Sequence, residues 1–214
     1  IAPFGNAAES APMEHTEHAP PKNCQLSPRL VEYREDNQAQ NPDWFNGAVA
    51  PFGDADPWLL IVGLAPGVKG ANRTGRPFTG DFAGDLLYAT LGKMGLSNQK
   101  YANHIDDGLK LHGTQITNVV RCVPPQNKPT TKEVHNCRPF LIKQIEHLKS
   151  LKVLLALGQI AHQSTIRAFE GRQADYPFGH GAVHRLDNGL YLVDSYHCSR
   201  YNTNTGRLTE AMFE

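Results

Sequence analysis

Short, unbroken apolar runs in this chain are separated by longer stretches whose apolar residues recur every three or four positions. Trp58–Leu64 has no in–out alternation, the pattern of a central strand buried on both faces. Thr114–Val120, Val153–Leu157 and Leu190–Tyr196 read as three further strands. Between them, Asp81–Met94 places Phe82, Leu86, Leu87, Thr90 and Leu91 on one helical stripe. Thr131–Leu151 carries Phe140, Leu141, Ile145 and Leu148 behind a cap at Thr130 or Thr131. A first helix is predicted after Ser27 and Pro28, continuing through Leu30, Val31, Tyr33 and Arg34. Others are predicted over Gln159–Phe169 and from Thr209 onward.

Strand–helix alternation of this kind predicts a three-layer α/β/α sandwich around a four-stranded, mostly parallel sheet. Residues Ile1–Asn23 are rich in Ala, Pro, Glu and His without a sustained period. They read as a mobile extension, which leaves 24–214 as the folded domain. No internal repeat is visible. Loops after Leu64, Asn118 and Tyr196 all leave predicted strands at their carboxyl ends, where ligands of such sheets bind. One cleft built from distant parts of the chain is therefore expected.

Composition narrows the classes. The 214 residues are 40% apolar, enough for one sizeable core. Lys plus Arg and Asp plus Glu both number 21, so any polyanionic partner must be met by a local cluster of basic groups. No apolar run nears the roughly 18 residues of a membrane span, and cytoplasm is the expected compartment. There, four cysteines point to ligands or thiols before disulfides.

The loops carry the chemistry. Gly63–Gly67 (GLAPG) offers backbone N–H groups that can cradle an anion or a carbonyl-bearing ring, or can simply make a tight turn. Asp81, at a helix start, is either a cap or a carboxylate that orients water. Phe78 is a core residue or a stacking platform. His197 is a structural hydrogen-bonding residue or a catalyst; the following Ser199, Arg200, Tyr201 and Asn202 suit phosphate and groove contacts. His180 and His184, in HGAVH, read as turn-stabilising residues rather than a metal pair, because no third ligand is evident.

The strings GLAPGVKGANRTGRPFTGD, RCVPPQNKPT and SYHCSRYNTNTGRLT together resemble the iron–sulfur uracil-DNA glycosylases of the type-b branch, family five. The resemblance runs from Cys24 to Glu214. It implies a monofunctional N-glycosyl hydrolase of base-excision repair, monomeric and nucleoid-associated, acting on double-stranded DNA with a deaminated base. Single-stranded DNA is a second candidate, and hypoxanthine, xanthine or ethenocytosine are further bases beside uracil. Ala65, Pro66 and Gly67 would then line the base pocket with Asn127, and Phe78 would stack on the flipped base. Asp81 would direct the attacking water, and His197 would hydrogen-bond the departing base. Arg73 and Ser199 to Asn202 would contact DNA. The resemblance also implies a [4Fe–4S] cluster on Cys24, Cys122 and Cys137.

This chain departs from the family pattern at two positions. Ser27 stands where a second cysteine is expected, and a serine oxygen is harder than a thiolate. Either it ligates, or a three-cysteine cluster forms, or none does; Cys198 adjoins the histidine and is no replacement. Asn118 stands where type-b relatives carry a small apolar residue, and a buried amide there is expected to favour uracil. A lesion-DNA binder without catalysis and an iron–sulfur electron carrier are the alternatives. The pairing of Asp81 with His197 favours the enzyme.

Overall fold

A computed structural model describes residues 19–214. Most of the expected extension, residues 1–18, lies outside the described residues. Lys22 and its neighbours lie against the body: the Lys22 carbonyl accepts from the Ala48 amide at 2.8 Å, and its ammonium sits 4.6 Å from the centre of the Phe45 ring.

The strands are β1 (Phe52–Gly53), β2 (Leu59–Gly63), β3 (Thr114–Asn118), β4 (Val153–Leu157), β5 (Val183–Arg185) and β6 (Tyr191–Ser195). They form one sheet in the order β1-β3-β2-β4-β6-β5. The four inner strands are parallel, as expected. The sheet nevertheless has six strands rather than four, because β1 and β5 add antiparallel edges. At two and three residues, these edge strands are too short to show a period in sequence.

The helices are α1 (Pro28–Gln40), α2 (Ala71–Thr74), α3 (Phe82–Lys93), α4 (Thr131–His147), α5 (Gln159–Ala168), α6 (Arg200–Asn204) and α7 (Glu210–Phe213). The two-residue period of the strands divides the core. Leu60, Val62, Leu154, Ala156 and Leu192 point into one cluster with Leu30 of α1, Leu141 and Ile145 of α4 and Ile166 of α5. Leu59, Ile61, Ile116 and Leu157 face the other way, onto Ala83, Leu87 and Leu91 of α3. Helices thus cover both faces of the sheet. Each such Leu or Ile, buried to 8% exposure or less, contributes about 1.5–3 kcal/mol by leaving water.

The cap predicted near Thr130 is a full capping box: Thr130 Oγ1 accepts from the Glu133 amide, and the Glu133 carboxylate accepts from the Thr130 amide. The helix ends at His147, short of the expected Leu151.

Candidate active site

Parallel register brings the first two loops together. Gly63, ending β2, lies beside Asn118, ending β3. The pairing continues past the strands, with Val119 N–H bonded to the Gly63 carbonyl and Val120 N–H to that of Leu64, each at 2.9 Å. A Cβ at Gly63 would lie 2.5 Å from Asn118 Oδ1 and 2.7 Å from Phe78 Cζ. Glycine is required there so that an amide and an aromatic ring can close on the strand end. Beyond them opens a cavity of about 340 Å³, at the small end of the about 300–1,000 Å³ typical of small-molecule sites.

Its walls contain Ala65, Pro66, Gly67, Phe78, Asp81, Asn118, Asn127 and His197, with Ser199 and Arg200 at one side. Three predicted DNA contacts lie outside the lining. Arg73 is exposed, with Nε on the Lys69 carbonyl at 2.9 Å. Tyr201 is 72% exposed and free to meet a partner. Asn202 instead turns inward and donates to the His197 carbonyl at 2.8 Å. Asn127 reaches the cavity rim from a turn in which it and Gln126 both have positive φ.

Asp81 is both cap and cavity residue. Its Oδ1 accepts from the Gly84 amide at 3.1 Å, starting α3. Its Oδ2 lies so near Gly70 that a Cβ there would approach to 2.3 Å. One oxygen is thus fixed by the helix, and the other faces the loop from β2.

Phe78 is held at φ +53°, a left-handed conformation rare for a bulky residue. Its surroundings hold it there. Tyr88 Oη donates to the Pro77 carbonyl at 2.7 Å, and Tyr101 Oη accepts from the Gly80 amide at 3.0 Å. A Cβ at Gly84 would collide with the Phe78 carbonyl at 1.7 Å. Beneath the turn lies Arg76, which sequence reasoning did not single out. It is buried, forks onto Asp107 at 2.8 and 2.9 Å, and bonds Thr79 Oγ1 through Nε at 2.7 Å. That pair holds the Asp107 carboxyl down at about 2.

His197 follows β6 and is partly buried. The loop is clamped below it by Cys198, whose buried thiol donates to the Ala83 carbonyl at 3.4 Å. Burial lowers the His197 imidazole from its ordinary value, partly opposed by the nearby Asp81 charge. The ring is therefore neutral at pH 7 and has an N–H to donate. Asn118 is 3% exposed, and its Oδ1 has no hydrogen-bond partner. A buried acceptor left open in a cavity wall awaits a donor.

Three buried thiols gather on the opposite face of the sheet. Cys24 precedes α1, Cys122 follows β3 and Cys137 lies on α4; all belong to one core cluster. Burial, followed by the neighbouring Cys137, pushes Cys122 up to about 12. Two buried guanidiniums adjoin them. Arg34 Nη1 lies 3.8 Å from Cys122 Sγ, and Arg121 leaves Nε and Nη1 without partners. Two buried cations beside thiols, Arg121 with orphaned donors, fit an anionic, thiolate-bound group. Ser27 Oγ accepts from Asn136 Nδ2 at 3.1 Å, one residue before Cys137.

Residues 50–214 match the family model of the uracil DNA glycosylase superfamily. A type-5 uracil-DNA glycosylase of Thermus thermophilus is 44% identical over 196 residues, 89% of each chain. One from Pyrobaculum aerophilum is 38% identical over 191 residues, covering 87% of this chain and 83% of the relative. A type-4 uracil-DNA glycosylase of the same archaeon is 35% identical over 155 residues, 72% of this chain and 64% of the relative.

Proposed function

The chain belongs to the uracil-DNA glycosylase superfamily, on its type-5 branch, and from that premise we propose that it excises uracil from DNA by hydrolysing the N-glycosidic bond. The product is an abasic site. The working species is a monomer on duplex DNA.

A glycosidic carbon inside a duplex is out of reach, so the nucleotide is first extruded at a cost of about a few kcal/mol. Exposed Tyr201 and Arg200 meet the groove and its phosphates. The base lies along Phe78 with its polar edge at Asn118. Bond cleavage leaves positive charge on the sugar and negative charge on the base. Neutral His197 donates its N–H to the base oxygen as that charge develops. Asp81 Oδ2 orients the attacking water and favours the cationic sugar. The observation that carries this reading is the open acceptor of Asn118 in the same cavity as Asp81 and His197.

Incubation with a duplex holding one uracil opposite guanine, followed by hot alkali, tests it. Scission at the uracil supports the enzyme. An uncut but tightly bound duplex supports a lesion-binding protein instead.

Hypoxanthine and xanthine are secondary substrates on the same chemistry. Uracil presents N3–H beside O4, and hypoxanthine presents N1–H beside O6. The Asn118 amide complements both edges and is mismatched to cytosine and adenine, which present a ring-nitrogen lone pair beside an amino group; thymine and guanine carry the same edge and are excluded by other contacts. The expected favouring of uracil is tested by excision rates on uracil and hypoxanthine with wild type and Asn118→Ala; comparable rates that the substitution leaves unchanged would defeat it. Ethenocytosine lacks that N–H and would be held by stacking alone.

Cys24, Cys122 and Cys137 hold a [4Fe–4S] cluster in this reading, with the Ser27 hydroxyl at the fourth corner. When bound, the cluster supplies covalent ties among three segments distant in sequence. Iron and sulfide counts near four per chain are expected; their absence from anaerobically purified protein would contradict it.

A further inference from the structure

We propose that His162, His184 and Asp194 form a binding site for one divalent metal ion of the zinc class, distinct from both the cavity and the cysteine cluster. His162 lies on α5, His184 is the middle residue of edge strand β5, and Asp194 lies on β6. His162 Nδ1 is 2.7 Å from Asp194 Oδ1, and His184 Nε2 is 3.3 Å from Oδ2. One donor atom from each residue falls within 4.8 Å of the other two.

Proton counting makes the cluster more than a hydrogen-bonded knot. A neutral imidazole has one N–H and one lone pair. His162 faces acceptors at both nitrogens: the Asp194 carboxylate at Nδ1 and the Tyr176 carbonyl at Nε2, 2.8 Å away. With Nε2–H given to Tyr176, the Nδ1 lone pair points at a buried carboxylate. A hydrogen on the ring or on the carboxyl, or else a cation, must lie between them. His184 directs another nitrogen at the same carboxylate, which suits a cation shared by all three.

The surroundings are those of a ligand set. A metal-binding histidine commonly donates its other N–H to a backbone carbonyl, as His162 does to Tyr176. Zinc bonds of about 2.0–2.2 Å place ligand atoms roughly 3–3.6 Å apart, so only small shifts are needed. The Phe178 ring edges His162 at 5.6 Å between centroids, and Tyr176 edges His184 at 5.8 Å, which limits water. Asp194 is 1% exposed, and a 2+ ion would neutralise its charge. Three protein ligands leave a fourth position for water.

The HGAVH motif hid this arrangement. His180 turns away and faces the Met212 carbonyl and the Tyr196 amide. The partners of His184 are supplied instead by residues 22 positions before it and 10 after. An ion there would fasten α5 and β5 to the strand that ends two residues before His197, and so act as a positioning element.

Full-length protein is cleared of loosely bound metal with chelating resin, incubated with zinc sulfate and desalted. Zinc per chain is then counted by elemental mass spectrometry for wild type, His184→Ala and Asp194→Asn. Because free thiols can also take up zinc, the difference between proteins is the readout. Each variant should hold one zinc fewer than wild type and lose the rise in Tm that zinc gives wild type. Equal zinc in wild type and His184→Ala would overturn the proposal, leaving a proton-only network. Asp194 is buried, so if Asp194→Asn does not fold, His184→Ala on its half-exposed strand decides alone.

Discussion

The Phe78 ring and the His197 imidazole lie side by side in the cavity wall, centroids 5.9 Å apart and planes inclined by 28°. The two come from loops more than a hundred residues apart. Their near-parallel setting lets a planar base rest on Phe78 while its edge meets His197. Neither position is free to drift: Phe78 is held by a strained turn, and His197 by the buried Cys198 contact beside it.

Replacing His197 by Ala should slow single-turnover excision about 100- to 1,000-fold, the usual loss for one donor to a developing anion. The acid side of the pH–rate profile provides a second check. Burial places the imidazole below its ordinary 6.5, so wild-type activity should persist through pH 6.5 and fall only in more acid solution. For stability the sign is the same: below pH 6.5 the unfolded chain takes up this proton more readily, so the contribution of His197 falls as pH falls.

Gly63→Ala should damage the site while sparing the fold. The new methyl would enter the space of Asn118 Oδ1 and Phe78 Cζ, displacing both. Excision should drop about 100-fold, as expected for a misplacement near 1 Å, with circular dichroism unchanged. Wild-type rates would show that the cavity floor does not contact the base.

Asp107→Ala should cost about 3–5 kcal/mol, because it strands the buried Arg76 charge. At roughly 2–4 °C per kcal/mol for a chain of this size, Tm should fall about 6–20 °C. In wild type the pair's contribution is complete above the ordinary carboxyl value of 3.8 and is lost as pH falls toward about 2. Acid unfolding followed between pH 5 and pH 2 should therefore differ between the two proteins. Coincident curves would contradict this role.

The elements legible in the sequence are those that repeat a period or carry a cap. The unbroken apolar run of β2, the Thr130–Glu133 capping box and the stripe of α3 each announce themselves locally. The loops that line the cavity were legible for another reason: polar residues cluster at the ends of buried strands, where a sheet leaves its ligands. Strands β1 and β5 were hidden because two or three residues cannot show alternation. Arg76 and Asp107 were hidden because a pair 31 residues apart, with both members in loops, has no pattern. His162 and Asp194 meet only through the parallel crossover, so the two partners of His184 were invisible in HGAVH until the sheet closed.

Arg200 sits 5.1 Å from the centre of the Phe82 ring at the cavity mouth. Arg200→Ala should weaken duplex binding and lower the salt-dependence slope by about one unit, with little change in the rate of bound substrate. Fluorescence anisotropy across a range of salt concentrations measures this. An unchanged slope would remove Arg200 from the phosphate contacts.

Asp81→Asn tests the central claim most directly. Asparagine also caps a helix, so α3 and Tm should be nearly unchanged while the carboxylate charge is lost. Single-turnover excision from a uracil-containing duplex should fall about 100- to 10,000-fold, with duplex affinity retained. A variant that binds and cuts as fast as wild type would show that Asp81 is only a helix cap and that the water is activated elsewhere.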